Sequence, residues 1–199
     1  MRSGITHEWD IGIVQAREIQ EKLREKVGRR NEFGEIRTVA GLDAAFVRRT
    51  RNWVCGFRMC REIPALLAAL GKLRVMPDLL FCDGQGYAHP RRMGLATHLG
   101  IVLDRPAIGC AKSILIGTHG PIGNQKGEWT AMMDGEERIG AALRTRAGVK
   151  PVYVSQGHRI SLESALRFVF SVCDGRRIPQ PTRDADRYVS ELKGGEGRK

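Results

Sequence analysis

The chain has 199 residues, 42% of them hydrophobic, and a formal net charge of +11. That length suits a single domain with a sizeable core, taken as 1–199 with frayed tails at 1–10 and 193–199. The positive charge points to a polyanion as partner, because Lys and Arg gain free energy by displacing counterions from phosphates; ribosomal and membrane-surface proteins share this bias. The five cysteines, Cys55, Cys60, Cys82, Cys110 and Cys173, are scattered and form no Cys-x-x-Cys pair. They argue against a disulfide framework or structural zinc and for a reducing compartment. With no signal peptide and no run long enough to span a bilayer, a soluble cytoplasmic protein is expected.

In chain order, Ile11, Val14, Ile19, Leu23 and Val27 recur near helical spacing, which predicts an amphipathic helix with Asp10 as N-cap. A turn at 31–34 precedes a mostly apolar strand, Val39 to Phe46, that carries Asp43 inside it. Arg48 to Arg61 interleaves five arginines with Trp53, Val54, Phe57 and Met59, and reads as a short strand or a strand and loop. A helix from Ile63 to Leu73 is expected to begin near Pro64. Asp78 to Cys82 is a buried strand, closed by Asp83-Gly84-Gln85-Gly86. Met93 to Leu103 reads as a helix and Ala107 to Cys110 as a strand. Gly117 to Gly127 reads as a loop, Arg138 to Arg144 and Pro151 to Ser155 as strands. Ser161 to Val172 is a helix capped by Ser161, and Thr182 to Leu192 a last helix after a turn-rich connection. The alternation gives an α/β class with a mixed sheet.

Asp43 lies within an apolar run, where an unpaired carboxylate is costly; a solvated strand end would also explain it. Asp83 follows Cys82 at a strand end, the place where α/β sheets gather ligands, although Asp-Gly is also a common turn pair. The glycines at 84 and 86 would let a ligand approach the backbone, and His89, Arg91 and Arg92 add groups compatible with phosphate. Glu62 and Asp186 have plain alternatives, a helix-terminus charge and a solvated helix face. Taken together, Asp43, Glu62, Asp83 and Asp186 would form an oxygen-only cluster suited to magnesium or manganese, and two such ions would serve phosphodiester hydrolysis. Lys112, after Ala107 to Ala111, would stabilise phosphoryl charge or be a surface lysine. His158 would orient a neighbouring group or a phosphate, or be structural.

Several runs together resemble the endonuclease V family: VAGLDAAF (39–46), REIPALLAAL (61–70), PDLLFCDGQGYAHPRRMGLATHLG (77–100), RPAIGCAKS (105–113), VSQGHRISLESAL (154–166) and GRRIPQPTRDAD (175–186). The resemblance implies a ribonuclease-H-like α/β fold with a mixed central sheet flanked by helices. It implies magnesium-dependent hydrolysis of the second phosphodiester bond 3′ to a deoxyinosine in DNA, with inosine in RNA as the substrate of some relatives. By position, Asp43 and Asp83 match the principal metal ligands, Glu62 the glutamate of the family's Phe-Arg-Glu motif, Asp186 the fourth site and Lys112 the active-site lysine. Gly84, Gln85, Gly86 and Ala111 match the pocket for the extruded base. The chain departs from the pattern after Asp43, where relatives carry roughly two dozen more residues: two strands and a Pro-Tyr-x-Pro-Gly wedge. Losing those strands would leave the first strand at a sheet edge. A binding module with weak cleavage is the alternative that this shortening raises. A monomer is the default.

Overall fold

The structure is a computed structural model that describes residues 7–43 and 58–196. The elements run α1 (Ile13–Arg24), β1 (Val39–Leu42), α2 (Arg58–Leu70), β2 (Leu79–Cys82), α3 (Leu95–Leu103), β3 (Ala107–Ala111), β4 (Thr118–His119), β5 (Trp129–Asp134), β6 (Glu137–Leu143), β7 (Val152–His158), α4 (Leu162–Ser171) and α5 (Gln180–Glu196). Seven strands form one sheet in the order β1-β2-β3-β7-β6-β5-β4. The first three are parallel and the remainder antiparallel, so the mixed sheet expected from the alternation is present.

The core follows from the period of two along each strand. Leu79 and Phe81 of β2 point to one face, where they join Ile108, Leu143, Val152 and Val154 under Ala165, Leu166 and Val169 of α4. Leu80 and Cys82 point to the other face, against Leu42 of β1, Ile63, Leu66 and Leu70 of α2 and Leu99 of α3. All four β2 side chains are buried. Each large one contributes about 1.5–3 kcal/mol relative to exposure. A central strand buried on both faces reads as a continuous apolar run, which is why Leu79–Cys82 is legible.

Several expectations are corrected. The first helix starts at Ile13 and is capped by Gly12, not Asp10; Gln15 Oε1 accepts the Gly12 N–H at 3.1 Å. Helix α2 begins at Arg58, so 58–61 is helical and not strand, and Pro64 lies inside the helix. Its apolar face at Ile63, Leu66 and Leu70 repeats at helical spacing and anchors it despite the proline. The 117–127 loop contains the short strand β4, and β5 was not foreseen. Strand β7 extends to His158, and α5 runs from Gln180 to Glu196. The expected tail at 1–10 is packed from His7 onward: Trp9 lies against the α2–α3 side of the core, and its ring is 5.4 Å from that of His98. The Ser161 cap is as expected, its hydroxyl accepting the Ser164 N–H at 3.2 Å. Ala44 to Phe46, and most of the arginine-rich run, lie outside the described residues.

Strand β1 pairs with β2 alone among the described residues. Its outer face is covered by α5. A Cβ at Gly41 would stand 1.8 Å from the Pro181 carbonyl oxygen, so only glycine lets the helix approach so closely. This contact sets where α5, and with it Asp186, meets the sheet.

Candidate active site

Three parallel strands end side by side. Leu42 is in register with Cys82, and Cys82 with Gly109, so Asp43, Asp83 and Lys112 leave the sheet at the same edge. The Asp83 N–H donates to the Leu42 carbonyl at 2.9 Å, continuing the ladder one residue beyond the strand. Lys112 Nζ lies 2.6 Å from Asp83 Oδ2 and 3.8 Å from Asp186 Oδ2. Partial burial works against the charge of Lys112. The hydrogen bond to Asp83 and the fields of Asp83, Asp186 and Asp43 outweigh it and hold its pKa above the ordinary 10.5. The structure therefore brings Asp43, Asp83, Lys112 and Asp186 together. Glu62 lies on α2 beside Ile63, which is fully buried among the residues that also receive Leu42 and Cys82, so α2 carries it on the β1–β2 side of the sheet.

The donor chemistry of the cluster is oxygen only, which suits a hard divalent ion and excludes a preference for soft metals. Among the described residues no three His, Cys, Asp or Glu side chains stand close enough to hold an ion as placed. Lys112 is the cation that faces Asp83 in this arrangement.

The segment after Asp83 is tied down by its own chain. The Gly86 N–H donates to Ser155 Oγ at 2.9 Å, and Gln85 Nε2 donates to the Ser113 carbonyl at 2.9 Å. A Cβ at Gly86 would meet the Gln156 carbonyl oxygen at 2.5 Å, and one at Gly109 the Gly86 nitrogen at 2.3 Å. The side of Gly86 where a Cβ would stand is thus filled by the backbone of β7. Ala111 is buried at the end of β3, immediately before Lys112.

The basic residues of the following turn have structural partners. Arg92 is 8% exposed, adopts φ 54° and binds Glu137 at 2.8 Å, Asp134 at 2.7 Å and the His89 carbonyl at 3.1 Å. It fastens the turn to the β5–β6 hairpin, so its expected phosphate role is set aside. Arg91 Nε donates to the buried Gln20 at 2.5 Å, and its backbone N–H donates to His89 Nδ1 at 3.2 Å. Burial, and then the charges of Arg91 and Arg92, depress His89 to about 4. His158 ends β7 opposite Ala107, at the far end of β3 from Lys112. Its Nδ1 accepts the Gly28 N–H at 3.1 Å and its Nε2 lies 3.6 Å from Asp104, so the structure does not bring it to the cluster. Its pKa is lowered, chiefly by burial.

Arg177 was not anticipated. It donates to the carbonyls of Lys112 at 2.7 Å, Pro151 at 2.9 Å and Lys150 at 3.0 Å. It fixes the backbone that carries Lys112. Nothing in the local sequence distinguishes it from the adjacent Arg176.

A family model described as Endonuclease V matches residues 48–187. The chain belongs to the endonuclease V family. An endonuclease V of Roseiflexus castenholzii is 45% identical over 217 aligned positions, covering 96% of this chain and 98% of that protein. Since this chain has only 199 residues, 217 positions leave at least 18 residues of the relative without a counterpart, which agrees with the shortening read from the sequence. The crystal structure of an endonuclease V from Streptomyces avermitilis superposes with a TM-score of 0.88 at 32% identity, over 97% of this chain and 98% of that one. An endonuclease V of Ciona intestinalis, solved with a 23mer DNA containing an inosine, superposes with a TM-score of 0.77 over 94% of this chain and all of that one; at 23% identity it supports the fold. The fold is ribonuclease-H-like, and the chain is a nuclease, a hydrolase of phosphodiester bonds. No helix among the described residues is long and apolar enough to cross a membrane.

Proposed function

We propose that this chain is a metal-dependent endonuclease of DNA repair that recognises deoxyinosine and hydrolyses the second phosphodiester bond 3′ to it. The observation that carries this reading is the Lys112 ammonium, 2.6 Å from Asp83 and 3.8 Å from Asp186, at the sheet edge where β1, β2 and β3 end. An ammonium kept charged by surrounding carboxylates is placed to neutralise charge that builds on a phosphoryl oxygen in the transition state. Asp43, Asp83 and Glu62 are the proposed ligands of magnesium, or of manganese, with Asp186 beside them. When bound, the ion would supply Lewis-acid stabilisation and a more acidic water. The Ciona relative, with its inosine-containing DNA, supports the choice of lesion.

The backbone at Gly84, Gln85 and Ala111 is proposed to receive the extruded base. The bond from Gln85 Nε2 to Ser113 holds that side chain to the strand β3 side of the cleft. Extrusion costs a few kcal/mol, and less where pairing is already weak, which favours an inosine mismatch over a normal pair. The protein is taken to act as a monomer in the cytoplasm, with inosine-containing RNA as the second substrate class.

The test compares the unmodified protein with Asp43→Ala and Asp83→Ala on an inosine-containing oligonucleotide with magnesium. Each variant should lose at least about 100-fold in rate, the scale of removing one electrostatic contact to the transition state. Equal cleavage by all three would reject the assignment. Retention of the oligonucleotide without cleavage by the unmodified protein would favour a binding module.

A further inference from the structure

The sheet edge that bears Lys112 continues away from the cluster. Ala111 is opposite Tyr153, Tyr153 is opposite Ala142, and Ala142 is opposite Thr130, so the chain just beyond β3, β6 and the starts of β7 and β5 share one border. Arg177 joins Lys112 to Lys150 and Pro151 through their carbonyls. Arg144 joins the 145–150 turn to the 120–128 loop, donating to the Val149 and Gly123 carbonyls. The Gly148 N–H donates to Asn124 Oδ1 at 3.1 Å. These bonds knit two loops and a turn into one built surface beside the cleft.

That surface is cationic. Lys126, Arg146, Lys150 and Arg176 are exposed on it, and among the described residues none of the four has a carboxylate within ion-pairing distance. Two acids lie on or beside it, Glu128 within the 120–128 loop and Asp174, so the four cations still outnumber them. Glu128 accepts the Gln125 N–H at 2.7 Å, and Asp174 is held by both terminal nitrogens of Arg183, at 3.0 and 2.5 Å. The surface also presents aromatic area. Lys126 Nζ lies 5.1 Å from the centroid of the Phe170 ring, and Trp129 is 45% exposed. Four unmatched cations on hydrogen-bonded loops repel one another, and an anionic partner would relieve that repulsion.

We propose that this shelf binds the sugar-phosphate backbone of the nucleic-acid substrate beyond the scissile bond. It rests on the endonuclease reading for its location relative to the cut. From β3 to β5 it spans three strand spacings, about 15 Å. That length accommodates about four base-pair steps at about 3.4 Å each. The contacts are to phosphates, so they add affinity and register without reading sequence.

The experiment measures binding against salt for the unmodified protein, for the triple variant Lys126→Gln/Arg146→Gln/Lys150→Gln, and for Lys126→Glu alone. Two duplexes are used, both extending roughly fifteen base-pair steps 5′ of the expected cut: one ends about one step 3′ of the cut, short of the shelf, and the other extends roughly fifteen. On the long duplex the slope of log K against log salt should become shallower by about 0.9 per lost contact, up to about 2.7 for the triple variant. On the trimmed duplex both affinity and turnover should be unchanged, and the melting temperature should match the unmodified protein. An unchanged slope on the long duplex, or equal losses on both, overturns the shelf. Because binding is read on undamaged DNA as well, failure of the inosine reading is separable: the shelf would still produce its slope difference where no deoxyinosine is cut.

Discussion

Lys112 is the residue on which the proposed chemistry turns. Replacing it with Ala removes the ammonium that, among the described residues, pairs with Asp83 and lies 3.8 Å from Asp186. The expected result is a fall of about 100- to 1,000-fold in kcat with KM little changed, as for loss of one transition-state contact. Since its pKa is raised above the ordinary value, its charge and the stability that comes with it persist through neutral pH and are lost only as pH rises through that raised value. His98 behaves in the opposite sense. It is fully buried, 2.8 Å from the His7 ring nitrogen, and burial together with the charge of His7 depresses it to about 3. Below about pH 6.5 the unfolded chain takes up a proton that the folded chain does not, so stability falls between about pH 6.5 and 3, by up to about 1.4 kcal/mol per unit. A melting series from pH 7 to 4.5 should show a smaller acid-induced drop in His98→Gln than in the unmodified protein. At this scale the sequence was readable where a polar residue follows a strand end. Asp83 and Lys112 announced themselves in that way. Arg92 and His158 did not, because the groups that engage them, Glu137 and Gly28, are remote in the chain and only the fold makes them neighbours.

Among the elements, β1 and α5 form the joint on which the site depends. Gly41→Ala would drive a methyl group into the Pro181 backbone. It should destabilise the protein by about 1–3 kcal/mol, the usual range for overpacking, and lower activity further by displacing Asp186. A melting curve and a cleavage assay together check this. If the melting temperature and the rate were both unchanged, α5 would not be seated as described. The β5–β6 hairpin acts on the Asp83 turn through Glu137, which accepts from Tyr87 at 2.6 Å and from Arg92 at 2.8 Å. Of that hairpin, β6 is legible in the sequence as the strand Arg138 to Arg144, whereas β5 is not: Trp129–Asp134 buries Met132 alone among its six residues, so no clear alternation marks it. Helix α2 was placed too late because five arginines among aromatics obscure the start of a helix whose apolar face begins only at Ile63.

For the whole molecule, the α/β class and the central strands were legible because Leu79–Cys82 and Ala107–Ala111 are buried on both faces and read as unbroken apolar runs. The alignment with the Roseiflexus relative runs over 217 positions, longer than the 199 residues of this chain, the direction of difference that a shortening after Asp43 requires. Strand β2 belongs to both faces of the core, so the two faces are expected to melt together. Calorimetry should give one transition with equal calorimetric and van't Hoff enthalpies. Two resolved transitions would show that β1 and the shortened region form a separate, weaker unit.

The measurement that bears most directly on the central claim is cleavage of an end-labelled DNA strand with one deoxyinosine, against a matched adenine strand, with magnesium and with EDTA. A single metal-dependent cut at the second phosphodiester bond 3′ to the inosine is expected, absent with EDTA and absent on the adenine strand. Cleavage that ignores the inosine, or none at all from protein shown to be folded, would contradict it.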